Sequence, residues 1–497
     1  MGDSSHALWA AQALASACGG RLDGPEDWSV SGLSIDSRTV RPGDLFIALK
    51  DARDGHDFVP HAFAVGATAA LVTRRPDGVD AGYPLLVVDD TLKALGAIAA
   101  ARRSASKARI AAVTGSVGKT STKEMLRLAL GASGPTHAPD KSFNNRIGVP
   151  LTLARMPADR AYGVFEIGMN HAGEITPLTR LVRPHATIVT TVEAVHLEFF
   201  ESVDGIAEAK AEIFLGLEPG GTAVINADNR YCGLLAERAR AAGAGRIVTF
   251  GAGDGADVRM IGFEADERSC RMTARLDGRD LVVRLAVPAR HHAVNALAVL
   301  AAAGALGADL EAAAAALAGF AAGDGRGARH DIDLEDGTLT LLDESYNASP
   351  PSMAAALDSL GRTPVRTGGR RMAVLGDMRE LGPDSARFHA DLAKAVETAG
   401  VDLVFCAGPQ MAHLWDALPE HRRGAWREGA EALLPAVVKT AQGGDIIMVK
   451  GSLASGMRVV VDELLAKRLK HDDAEAGPAK TTGDTKPLFA RGHDEGV

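Results

Sequence analysis

Cysteine is scarce in this chain. Four residues in 497 (Cys18, Cys232, Cys270 and Cys406) stand far apart, with no CxxC pair. That spacing excludes a disulfide framework and a cysteine zinc site, and it fits a reducing cytoplasm. An excess of basic charge is also absent. The net charge is −9, so neither a nucleic acid nor a membrane surface is the expected partner. Long apolar runs are missing too. Stretches such as 298–306 are too short to span a bilayer and are interrupted by glycine. The first residues lack a basic segment followed by an apolar core, so the chain is expected to stay where it is made.

What is present is ordinary globular material, 46% hydrophobic and 24% charged, enough for several cores. The length suggests about three domains. The first is expected over residues 1–106, with short apolar strands at 44–49, 69–72 and 84–88. The basic, polar stretch 102–109 reads as a hinge. A second block, 107–322, alternates apolar runs (109–114, 162–167, 186–191, 221–226, 246–250) with helical lengths, the pattern of a parallel, doubly wound sheet. A β-rich extension over 258–287 and an alanine-rich helical pair over 292–317 close it. The glycine-rich segment 319–327 reads as a second hinge. A third block, 323–469, alternates again (338–343, 371–375, 402–407, 445–449), which predicts a Rossmann-like sheet. Residues 470–497 are polar and charged and read as a disordered tail.

The strongest local signal is Gly115-Ser116-Val117-Gly118-Lys119-Thr120, followed by Ser121. It leaves an apolar strand and enters a helix. In that context backbone N–H groups and a helix N-terminus face a nucleotide's phosphates, Lys119 adds charge, and the Thr120 hydroxyl can ligate Mg²⁺. Val113 stands where the strict eight-residue pattern has its first glycine. Glu166 ends a strand, where a carboxylate can hold Mg²⁺ opposite the loop or simply be solvated. His196, just past another strand, is a metal ligand, an acid–base group or a structural imidazole. Lys210 reads from the residues alone as a surface lysine on a helix. Asn144 and Asn145 suit either a turn or a base edge, and Asn295 a helix surface.

Taken in order, these segments and several others resemble the Mur ligase family of peptidoglycan synthesis. The others are Asp36-Ser37-Arg38, Asp54-Gly55-His56-Asp57-Phe58, Glu166-Ile167-Gly168-Met169-Asn170-His171, His196-Leu197-Glu198, Ser345-Tyr346-Asn347-Ala348, Gly376-Asp377-Met378 and Val449-Lys450-Gly451-Ser452. The resemblance is closest to the member that adds D-alanyl-D-alanine to UDP-N-acetylmuramoyl-tripeptide. It implies an α/β enzyme of three domains: a small UDP-binding domain, a central phosphate-loop domain and a C-terminal Rossmann-like domain. It also implies ATP and two Mg²⁺ ions, and a cytoplasmic monomer. Thr120 and Glu166 would hold one metal. His196 and a carbamylated Lys210 would serve the second. Lys119 would touch the transferred phosphate, Asn145 and Asn295 the adenine, Arg326 the phosphates and Glu344 the ribose. Ser37 and Arg38 would meet the uridine nucleotide, with Tyr346 and Asn347 at the substrate. Asp51, His292, Glu344 and Ser349 depart from the family pattern. The rival readings are a ligase of the same fold with another amine, and a module that only senses nucleotides.

Overall fold

The computed structural model describes residues 7–51, 53–195 and 197–475. Three larger sheets follow one another along the chain. The first has five strands in the order Arg21–Asp23, Leu85–Val87, Ala69–Val72, Asp44–Ile47, Gly32–Ser34. All pairs are parallel except the first. Its central strands are buried on both faces and read as continuous apolar runs.

The second sheet has nine strands. The strand Arg109–Thr114 lies between Tyr162–Glu166 on one side and Ala186–Val189 on the other, parallel to both. The chain therefore reverses its direction of sheet growth beside this strand, and a crevice opens outside the carboxyl ends, where open α/β sheets bind ligands. Thr222–Asn226, Arg246–Gly251 and Val258–Ala265 continue the parallel order. Cys270–Leu276 and Arg279–Leu285 then fold back as antiparallel ribbons. The buried helix Arg290–Ala305 covers one face with the phosphate-loop helix Lys119–Gly131.

The third sheet has six strands in the order Ala328–Leu334, Gly337–Glu344, Ile446–Lys450, Arg371–Gly376, Leu403–Ala407, Arg423–Arg427. Only the first pair is antiparallel. Pairing Gly337–Glu344 with Ile446–Lys450 sets Glu344 beside Lys450 at the carboxyl edge.

Two expectations are corrected. The stretch 102–109 is not a polar hinge. The helix Thr91–Ala105 runs through Arg102 and Arg103, and both arginines are buried. Arg103 donates to the carbonyls of Val182 and Arg183, each at 2.7 Å. Arg102 donates to Leu8 O and stacks on Trp9 at 4.1 Å. Arg103 thereby bonds carbonyls at the end of the helix Ile175–Val182 and fastens the first domain's last helix to the second sheet's layer. The last helix, Arg458–Glu475, continues beyond Lys470. Residues 476–497 lie outside the described residues.

Candidate active site

The loop 115–118 turns on two glycines with positive φ, Gly115 at +149° and Gly118 at +83°. Each is needed for space as well as for backbone. A Cβ on Gly115 would overlap Thr190 Oγ1, and one on Gly118 would come within 2.9 Å of Asn295 Nδ2. Thr190 holds the loop by donating to Val117 O at 2.6 Å. Ser116 exchanges hydrogen bonds with the backbone of Glu193, accepting from its N–H at 2.9 Å and donating to its carbonyl at 3.1 Å. The loop is thus built before any phosphate arrives.

Lys119 opens the helix and folds back, donating from Nζ to Gly115 O at 2.7 Å. Burial pushes its pKa down; Glu166 opposes the shift and Arg326 adds to it. An anion in the loop would reverse that cost.

Glu166 is not a solvated strand end; it is 1% exposed. Its carboxylate accepts from Thr120 Oγ1 at 2.8 Å, Ser142 Oγ at 2.7 Å and Asn144 Nδ2 at 2.8 Å. Asn144, expected at a turn or a base edge, instead donates to the carboxylate, and Ser142 is the partner with no signal beyond the polar run around it. Asn145 is exposed, and its side-chain carbonyl accepts from the N–H groups of Ile147 and Gly148, opening the helix Gly148–Ala154. Asn295 is buried against Gly118.

A cavity of about 680 Å³ joins these residues to the third sheet. Residues 116–121, Glu166 and Asn295 line one side, and Arg326, Glu344, Tyr346, Asn347 and Lys450 the other. Arg326 stacks on Tyr346 at 3.9 Å. Lys450, buried, donates to Asn347 O at 2.9 Å and to Glu344 at 3.3 Å. His291 and His292 line the same space. Burial lowers both pKa values, so neutral imidazoles face the cavity, and His292 Nδ1 has no hydrogen-bond partner.

Lys210 is 2% exposed, not a surface lysine. Burial first, and then the charge of Lys119, pushes its pKa well below the ordinary lysine value. It lies on the helix Val203–Ala211, near enough to Lys119 to feel its charge. His196 lies outside the described residues. Ser37 and Arg38 are elsewhere, on the first sheet's edge: Ser37 is buried, and Arg38 is exposed and paired with Asp36 at 2.6 Å.

Among the described residues no three His, Cys, Asp or Glu side chains converge on a metal position. The donors beside the loop are oxygens: the Thr120 and Ser142 hydroxyls and the Glu166 carboxylate. That set fits Mg²⁺, which takes one or two carboxylates from a protein and completes its shell with water and substrate phosphates. The site therefore fits a metal that arrives with a nucleotide.

Residues 29–103, 113–303 and 329–453 match three family descriptions in turn: the Mur ligase family catalytic domain, the Mur ligase middle domain, and the Mur ligase, glutamate ligase domain. The UDP-N-acetylmuramoyl-tripeptide–D-alanyl-D-alanine ligase of Escherichia coli (strain K12) is 38% identical over 447 residues, covering 90% of this chain and 96% of the relative. The protein of that name from Rickettsia prowazekii is 32% identical over 455 residues, covering 92% and 99%. The crystal structure of MurF from Acinetobacter baumannii superposes with a TM-score of 0.79 at 31% identity, covering 92% of this chain and 99% of that one.

Proposed function

The chain belongs to the Mur ligase family, and from that premise we propose how its site works. It is the ATP-dependent ligase that joins D-alanyl-D-alanine to UDP-N-acetylmuramoyl-tripeptide, releasing ADP and phosphate. The observation that carries this reading is the shared cavity. It sets a phosphate loop and a buried carboxylate on one sheet against Arg326, Glu344 and Lys450 on the next.

A carboxylate and an amine do not condense in water without activation. The tripeptide's terminal carboxylate attacks the γ-phosphorus of ATP, ADP leaves, and an acyl phosphate forms. The dipeptide's amine then attacks the acyl carbon, phosphate departs, and the amine's extra proton is lost to solvent or a base. Lys119 and Arg326 neutralise charge spreading over the transferred phosphoryl group. Thr120 and Glu166 would hold one Mg²⁺ and His196 and Lys210 would serve a second, and the ions would supply further charge neutralisation. Burial and the charge of Lys119 hold the Lys210 pKa well below the ordinary lysine value, which favours the neutral amine that adds CO₂, so carbamylation of Lys210 has a physical basis. Asn295 and Asn145 meet the adenine, and Glu344 takes the ribose. Ser37 and Arg38 bind the uridine nucleotide, in keeping with three domains parting near residues 106 and 322 and a third that closes through the 319–327 loop to exclude water. No helix among the described residues is long and apolar enough to cross a membrane. The reading also takes the enzyme to act as a monomer in the cytoplasm.

The test is phosphate release from ATP with each substrate alone and with both. Turnover that needs UDP-tripeptide and D-alanyl-D-alanine together is expected. Equal turnover with another amino acid in place of the dipeptide would overturn the substrate assignment. For the carbamate, a Lys210→Ala variant regaining activity with short carboxylic acids is expected; full activity without them would sink it.

A further inference from the structure

We propose that Arg379 receives the terminal carboxylate of the incoming dipeptide; this rests on the functional reading above and extends it to a specificity residue. Four cationic side chains line the cavity: Lys119, Arg326, Arg379 and Lys450. Three are committed. Lys119 bonds the phosphate-loop carbonyls. Arg326 stacks on Tyr346 and lies close enough to Lys119 to shift its pKa. Lys450 is buried on Glu344 and Asn347. Arg379 is exposed at the mouth, and among the described residues it makes no hydrogen bond, ion pair or ring contact.

Its backbone, by contrast, is held on both sides. Before it, Met378 N–H donates to the buried His389 Nε2 at 3.0 Å, and Asp377 accepts from Met411 N–H at 2.9 Å while its carbonyl takes the Ser452 hydroxyl at 2.7 Å. After it, Glu380 sits at φ +61° and its carbonyl accepts from Glu198 N–H at 3.1 Å. A positive φ at a non-glycine residue is uncommon and persists where surroundings enforce it. The loop therefore presents an unpaired guanidinium on a fixed base, the arrangement that binds a planar carboxylate with little ordering cost.

The position suits the dipeptide. Glu193, which Ser116 ties to the phosphate loop, lies in the same connection after the strand Ala186–Val189 as Glu198. Two residues span at most about 7 Å, so a dipeptide anchored at the mouth by its carboxylate turns its amine inward to the acyl phosphate. Ala348, Leu381, Leu453 and Ala454 line the cavity on this side, small or apolar surfaces for two methyl groups. The tripeptide's reacting carboxylate and the ATP phosphates have cations at the loop, and the dipeptide's carboxylate is the anion assigned to Arg379 at the mouth.

The test compares D-alanyl-D-alanine with D-alanyl-D-alaninamide in the full-length enzyme and its R379A and R379K variants. The wild type is expected to favour the acid. In R379A the KM for the acid should rise about tenfold to a hundredfold, the loss of one charge-assisted contact. The KM values for ATP and UDP-tripeptide should stay within about twofold, the preference for acid over amide should vanish, and R379K should keep part of it. An unchanged preference in R379A overturns this inference alone. So does a rise confined to the KM for UDP-tripeptide, which would assign Arg379 to the peptide of that substrate, or a uniform loss across all three substrates. A wild type that ligates neither dipeptide overturns the functional reading and this inference with it.

Discussion

Thr120 Oγ1 donates to Glu166 Oε2 at 2.8 Å, joining the first turn of the phosphate-loop helix to the end of the neighbouring strand. Metal binding would turn the hydroxyl and the carboxylate from partners of each other into ligands of one ion. Glu166→Gln keeps the shape and removes the charge. It is expected to lower kcat/KM by at least about a hundredfold and to raise the Mg²⁺ concentration needed for half activity. Phosphate release across a Mg²⁺ titration measures both. Near-normal turnover would remove Glu166 from the metal site.

The loop glycines give a second prediction. An alanine Cβ at Gly115 would overlap Thr190 Oγ1, and Thr190 cannot yield without releasing Val117 O. Gly115→Ala is therefore expected to destabilise the protein by about 1–3 kcal/mol and to weaken ATP binding. Gly131, at the far end of the same helix, has open space around its Cβ direction. Gly131→Ala should be neutral or raise stability by up to about 1 kcal/mol. Thermal melts with and without ATP compare the two, and equal behaviour would mean the loop is not the tight structure described.

Much of this site was legible because parallel strands, buried on both faces, leave unbroken apolar runs. Arg109–Thr114 and Tyr162–Glu166 could be read directly, and with them the phosphate loop and the strand-end position of Glu166. Adjacency created by sheet order was not legible. Glu344 and Lys450 become neighbours only because two strands far apart in sequence pair. The Glu166 network also recruits Ser142 and Asn144 through a loop return with no periodic signature. Lys210 was misread because its helix is rich in alanine, and alanine does not mark which face is inside. The strand Ala328–Leu334 was missed since its run Arg329-His330-Asp331 is polar.

Acid sensitivity is expected from His185. Its Nδ1 accepts from Ile110 N–H at 3.0 Å at the start of the phosphate-loop strand, so the ring must be unprotonated there. Burial, then the charges of Arg109 and Arg103, lower its pKa from 6.5 to about 4. Between these values the unfolded chain binds more protons than the folded one. Stability therefore falls as pH drops from about 6.5 to about 4, by at most about 3 kcal/mol from this group. Asparagine offers an oxygen acceptor that does not titrate. His185→Asn should flatten the fall in melting temperature between pH 7 and pH 5; an unchanged slope would place the acid sensitivity elsewhere.

A last prediction concerns how the third sheet is held against the second. The turn between Val258–Ala265 and Cys270–Leu276 carries Arg268 to Asp331 on the strand Ala328–Leu334, at 2.5 Å. Arg329 donates back to Glu267 O at 3.2 Å. These contacts wall a second cavity of about 530 Å³, which His291, His292 and Glu344 also line. Arg268 is 70% exposed, so Arg268→Ala should cost less than about 1 kcal/mol of stability. Its effect belongs instead to how the third sheet is held against the second. The expected result is a several-fold rise in the KM for ATP, with the melting temperature nearly unchanged. Asp331→Ala also frees Thr340 Oγ1, which donates to Asp331 at 2.8 Å, and should cost more. If the pair acts as one latch, the double variant will lose less than the sum of the single losses, with a coupling of about 0.5 kcal/mol or more. Strict additivity would mean that the two residues act separately.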